Sequence, residues 1–306
     1  MIGYVFWRIL QMIPVLLGIT LIVFLLLRVS GDPVSLMLGE DATQGQIAQL
    51  REAYGLDQPL YTQYLRYMGD LLTGNFGQSI RYNNQPALDV VLERLPATAS
   101  LAGTALVFAI VISLPAGIIA ALYRGRLPDH VASFLSVLGQ AMPNFWLRIM
   151  LILFFAIGLG WFPVSGREHP FAVVLPGLAL GASLAAVLTR LLRSSLIEVM
   201  SQDYIRTARA KGLTPTVVII RHGMRNAILS YLTVVGLEAS SLMAGAVVTE
   251  QVFAWPGIGL LAIQAINSRD MAVVQTIVIL AAVIVMVVNL LVDVLYSLVD
   301  PRIQHG

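Results

Sequence analysis

Six long apolar runs separated by polar segments set the pattern of this chain, at about 9–27, 97–123, 130–158, 171–192, 227–248 and 271–298. A helix rising 1.5 Å per residue needs about 20 apolar residues to cross about 30 Å of hydrocarbon, so each run predicts one membrane span. Helices suit that setting because they satisfy their own backbone hydrogen bonds where no water can. Arg8 precedes the first run, as in a secretion signal. The run is too long for one, and no small-residue cleavage site follows, so it is read as a retained span.

The polar segment between the first two spans is long and patterned. Thr43 opens one amphipathic stretch with Ile47, Leu50 and Tyr54 on a face. Asp57 opens another, with Leu60, Tyr64, Tyr67, Met68 and Leu71 at helical spacing. Gly74, Gly77 and Pro86 then break the chain. Such faces either pack on the chain itself or dock an external partner. The expected division is an N-terminal transmembrane helix over 1–28, an extracytoplasmic loop subdomain over 29–96 and a core of five spans over 97–300. The fold class is therefore an all-α membrane protein.

Composition narrows the function. Of 306 residues, 58% are hydrophobic and only 12% charged, about half the charge of a soluble domain. No cysteine is present, which excludes disulfides, thiolate metal sites and cysteine nucleophiles. The four histidines, His130, His169, His222 and His305, are scattered, with no HExxH spacing for zinc. No GxxxxGK[ST] phosphate loop occurs, so any ATP that drives this protein is bound by another chain. No nucleophile–base or metal constellation argues for an intramembrane enzyme.

Charge placement orients the spans. Arg8, Arg124, Arg126, Arg302 and the basic loop between the fourth and fifth runs fall on one side. Only Arg167 and Arg269 occupy the short loops of the other. The positive-inside rule assigns the first side, with both termini, to the cytoplasm. The loop over about 198–226 is the most densely basic part, with Arg206, Arg209, Lys211, Arg221 and Arg225. Asp203 is placed to cap a short helix, Gly212 to stop it, and Thr214-Pro215 to open a second helix. Ala208 and Gly212 share one face, where small side chains let a partner backbone approach. Tyr204 and Ile205 flank it with apolar surface. A plain basic loop that only fixes orientation is the competing reading.

The string YIRTARAKGL followed by HGMRNA resembles the EAA loop of ABC-transporter permeases. It is similar to the version in the dipeptide, oligopeptide and nickel permease family, in its first, B-type permease. The opening RILQMIPVLLGITLIVFLLLRVSGDP, then GLDQPLYTQYLRYMGDLLTGNFGQS, LPGLALG, RNAIL, WPGIG, NLLVDVLY and DPRI resemble that family in its order, across nearly the whole chain. One departure is Ser230, where the family commonly carries proline. The resemblance implies a type I importer permease of MetI-like fold, with a cytoplasmic coupling helix between the fourth and fifth spans. Its implied partners are a second homologous permease subunit, two ATPase subunits and an extracytoplasmic substrate-binding protein. ATP and magnesium would bind the ATPases, so this chain would need no cofactor. The implied coupling residues are Asp203, Tyr204, Ile205, Arg206, Ala208, Arg209, Lys211 and Gly212. The implied location is a bacterial or archaeal cytoplasmic membrane.

Three polar residues fall inside spans: Glu238 in the fifth, Asn289 and Asp293 in the sixth. Ionisable groups at that depth are costly and face a partner or a cavity. They either line a translocation path or make helix–helix hydrogen bonds. An ion-gradient-driven secondary transporter would need more intramembrane charge or broken helices. Arg148 falls inside the third predicted span. Trp255, in WPGIG, is read as a membrane-interface anchor or an external gate. Solutes carried in the family include peptides, nickel, glutathione, opines and sugars, and the sequence does not choose among them.

Overall fold

The computed structural model describes residues 2–29, 45 and 57–299. The GDP and DPRI elements and the first amphipathic stretch of the long loop, headed by Thr43, lie outside these. The described residues are mostly helical, in the order α1 (Ile2–Val29), α2 (Leu60–Leu72), α3 (Ala87–Leu122), α4 (Leu127–Ala141) and α5 (Asn144–Leu151). They continue with α6 (Val174–Met200), α7 (Asp203–Ala210), α8 (Met224–Gly245), α9 (Val247–Val252), α10 (Ile258–Asn267) and α11 (Met271–Val299). Among the described residues, five helices are long and apolar enough to cross a membrane, or six if the bent pair α4–α5 counts as one span.

Residues divide into two compact units, Met1–Leu95 with Leu261–Val287, and Pro96–Leu260 with Val288–Gly306. In the first, α2 packs its aromatic face on α1. The Thr20 and Tyr64 hydroxyls are 3.0 Å apart, and the Phe24 ring sits edge-on to Tyr64 at 5.3 Å. Burial pushes the Tyr67 hydroxyl, on the same face, up to about 12. This amphipathic helix therefore packs on its own chain. It starts after Pro59, not at a cap on Asp57, because the fixed proline φ already favours the turn. Further along, Asp270 caps α11. Its carboxylate accepts the Ser79 hydroxyl and the Arg81 N–H, and its backbone carbonyl accepts the Val274 N–H at 3.1 Å. The 78–86 turn, with Asn83 and Asn84 at positive φ, is thereby tied to the foot of the last span.

In the second unit, α6 is the central helix. Gly177 and Gly181 let its backbone meet α3: a methyl on Gly177 would come within 2.7 Å of Thr104 Cγ2, and one on Gly181 would strike the Ala105 carbonyl. This explains the glycines of LPGLALG by close helix packing. Farther along, Gly117 of α3 faces Leu192. Leu184, Leu188, Leu192 and Leu196 line the core that follows, together with Ala105, Ala109 and Tyr231. Asp129 at the start of α4 is buried and takes both guanidinium donors of Arg193, with Nη2 at 2.8 Å, and the Gly125 N–H at 2.8 Å.

Three boundaries differ from the sequence pattern. The helix of the second span begins at Ala87, ten residues before the apolar run, because Ala87, Val90 and Val91 are buried there. The 97 boundary between loop and core therefore falls inside α3. The third run is not one straight helix. Pro143 holds Met142 extended, at ψ 134, and α4 and α5 meet at 106°. The fifth span is entered earlier, through a helical turn at Pro215–Val217 and a π-helical stretch at Val218–Gly223. A second π-helical stretch, Ile152–Gly158, ends the third.

The turn after α9 is locked by a buried carboxylate. Glu250 is 0% exposed. It accepts the Thr98 hydroxyl at 2.7 Å and the Leu260 N–H at 2.9 Å, while Thr98 accepts the Ile258 N–H at 2.8 Å. Gly257 and Gly259 leave it room. Trp255 is 2% exposed and donates its indole N–H to the Ala97 carbonyl at 2.8 Å. The reading of Trp255 as an interface anchor is corrected: with its polar end satisfied, the ring is core. Burial raises the Glu250 carboxyl above its ordinary 4.5, against the lowering pull of its three hydrogen-bond donors.

Two predictions follow from this packing. Gly181→Ala costs about 1–3 kcal/mol by overpacking, whereas Gly103→Ala, with open space around it, is neutral or stabilising by up to about 1 kcal/mol. Thermal unfolding of the detergent-purified chain separates the two. Glu250→Ala orphans the donors around it and costs about 1–3 kcal/mol. A raised folded-state pKa means that the fold favours the protonated carboxyl. Its contribution is full below pH 4.5 and lost as pH rises through the raised value. The unfolding temperature of the parent chain should fall across that window, and Glu250→Ala should flatten the fall.

Candidate functional site

Two places in the second unit bring together the polar residues that the sequence singles out. The first is the basic loop. Asp203 begins α7, with Gln202 at the cap position and no side-chain cap bond, so Asp203 acts as an acidic first-turn residue and not as the cap. Gly212 ends the segment at φ +78, where a side chain is strained, and Pro215 opens the next helical turn. Ile205 (0% exposed) and Ala208 pack inward on Val218 and Met200. Both side chains are expected from the sequence to meet a partner; here they turn inward, so the apolar stripe of this short helix fastens it to its own chain. The outward face carries Tyr204, Arg206, Arg209, Lys211 and the open edge at Gly212. Arg206 lies 3.5 Å from Asp203 in an exposed pair. Arg209 lines a groove of about 380 Å³ with Leu122, Leu213 and Ile219.

The Tyr204 hydroxyl accepts the Asn226 side-chain N–H at 2.7 Å. That bond joins α7 to the start of α8, and it gives the RNA part of HGMRNA a physical role. Ser230, where a proline was the common alternative, sits within an unbroken α8.

The second place is a cavity of about 510 Å³ at the α4–α5 break. Met142 and Pro143 line it, with Asn144, Arg148, Ser183 and Glu238. Broken helix at membrane depth is tolerated where it lines such a space. Glu238, half-buried, lines this cavity. Asn289 behaves differently: its carbonyl oxygen accepts the Ser240 hydroxyl at 2.7 Å, a helix–helix hydrogen bond. Asp293 is half-buried four residues later on α11. Arg148, 5% exposed, is the group that sequence reasoning passed over. The signal was present, since an arginine inside an apolar run is rarely idle. No cluster of potential metal ligands occurs among the described residues.

Two family models match the chain: the binding-protein-dependent transport system inner membrane component over residues 113–305, and the N-terminal component of the same systems over 1–102. The di/tripeptide transport system permease protein DppB of Pseudomonas aeruginosa is 42% identical, covering 100% of this chain and 99% of that protein. The oligopeptide transport system permease protein AppB of Bacillus subtilis is 39% identical, with 100% of each covered. The glutathione transport system permease protein GsiC of Escherichia coli K12 is 40% identical, again over 100% of each. In fold, the chain matches one from the inward-facing MetNI methionine ABC transporter. The TM-score is 0.60 at 19% identity, over 71% of this chain and 99% of that one. A chain of an amino acid ABC transporter gives 0.53 at 19% identity, over 70% of this chain and 94% of that one. Full-length identity at this level, with the fold, shows that the chain belongs to the binding-protein-dependent inner-membrane permeases of ABC importers, whose ATPase is a separate subunit.

Proposed function

We propose that this chain forms half of the translocation path of an ATP-driven importer for peptides or a related small solute. The observation that carries this reading is the full-length identity to permeases named for di/tripeptide, oligopeptide and glutathione transport. An ion-gradient mechanism finds no comparable support. A second homologous permease completes the path, two ATPase subunits drive it, and an extracytoplasmic binding protein delivers the solute. Both termini and the 203–212 helix face the cytoplasm, in keeping with the basic residues gathered there.

Coupling to the ATPase runs through the outer face of α7. Tyr204 supplies half-exposed aromatic surface, and Gly212 leaves room for close approach. Arg206, Arg209 and Lys211 pair with acidic groups or lipid phosphate. Ile205 and Ala208 act from inside, by holding α7 on Val218 and Met200. Glu238 belongs to the path, while Asn289 and Asp293 belong to helix packing.

Gentle solubilisation of the tagged chain from its own host should recover a second permease and ATPase chains. Recovery of the chain alone, across several detergents, would overturn the importer reading. Gly212→Asp tests the docking face, because aspartate tolerates left-handed backbone better than most side chains and the fold should survive. ATPase recovery should drop about tenfold or more at unchanged yield of folded chain. Undiminished recovery would sink the docking role.

A further inference from the structure

We propose that Arg148 is the anion-binding group of the translocation path. The cavity it lines receives the carboxylate of a small zwitterionic solute, and Glu238 receives its ammonium group. This rests on the importer reading above and adds to it a site and the chemistry of what passes.

The argument begins with how this chain treats its other arginines. Arg193 is bound at once by the buried Asp129, and Arg190 donates to Gln140. Arg148 is more buried than either, and its Nε has no hydrogen-bond partner. No carboxylate forms an ion pair with it among the described residues. Guanidinium does not lose its proton, so this charge persists, and no described carboxylate of the chain balances it. Burying a charge that way is costly unless something completes it. The planar fork is matched bidentately by a carboxylate, which a solute can bring and take away.

The surroundings fit such a visitor. The volume, about 510 Å³, is that of a small-molecule site. Gln140, Asn144, Ser183 and Ser241 offer neutral polar groups on its walls. Glu238 supplies the opposite charge in the same cavity, yet it does not pair with Arg148. Two unlike charges kept apart across one cavity match a molecule that carries both.

The test uses the assembled complex in nanodiscs. This chain has no cysteine, so Ser183→Cys places a single reporter thiol on it, read by peptide-resolved mass spectrometry. Rates are measured with the anionic ethylsulfonate and the cationic trimethylammonium-ethyl methanethiosulfonates, each normalised to a free thiol. The anionic reagent should be favoured about tenfold, as expected for a nearby fixed cation. Adding Arg148→Gln should bring the ratio near unity, and Arg148→Lys should keep most of it. Trialanine should slow labelling, while its C-terminal amide should not. An unchanged ratio in Arg148→Gln, equal protection by the amide, or no labelling by either reagent would overturn the site. ATP-independent uptake by the unmodified complex would instead sink the importer reading and leave these ratios standing.

Discussion

The approach of α6 to α3 at Gly177 and Gly181 is the contact on which the second unit depends. Lipid is as apolar as leucine, so helices in a membrane gain little from hiding apolar surface and must gain from fit. The Ala105 carbonyl occupies the space a methyl on Gly181 would need. From that close point α6 carries everything else: the leucine layer of the core, Arg193 toward Asp129, and Ser183 on the cavity wall. A small displacement there would move all three together.

Most of the architecture was legible because its cause is one-dimensional. Apolar runs of sufficient length specify spans whatever they pack against, and a Gly-x-x-Pro break specifies a turn. Gly212 and Pro215 fell where the sequence put them. What escaped depended on neighbours. Pro143 was visible, but that it would turn α4 against α5 by 106° was not, since prolines Pro96 and Pro115 lie inside an unbroken α3. The inward facing of Ile205 and Ala208 required knowing that Val218 and Met200 lie beneath them. Trp255 read as a surface aromatic because nothing in WPGIG announces the Ala97 carbonyl waiting for its N–H.

The candidate site was less legible than the fold for a related reason. Glu238, Asn289 and Asp293 carry the same signal in sequence, a polar residue in an apolar helix. Geometry separates two of them: Asn289 is answered by Ser240, whereas Glu238 opens on a cavity. Arg148 differs from Arg193 in the same way. One guanidinium has its carboxylate built in, and the other does not. The site proposed here lies where the protein leaves a polar group unanswered.

The short basic helix is joined to its span by very little chain: Lys211, Gly212, Leu213 and Thr214 separate the end of α7 at Ala210 from the turn at Pro215. It is also pinned from beneath by Ile205 and Ala208 and from the side by the Tyr204–Asn226 bond. Mechanically, such a joint has almost no backlash. A thrust applied to α7 would meet no long loop in which to be absorbed before the foot of α8, so the stroke delivered to the span would be close to the stroke applied.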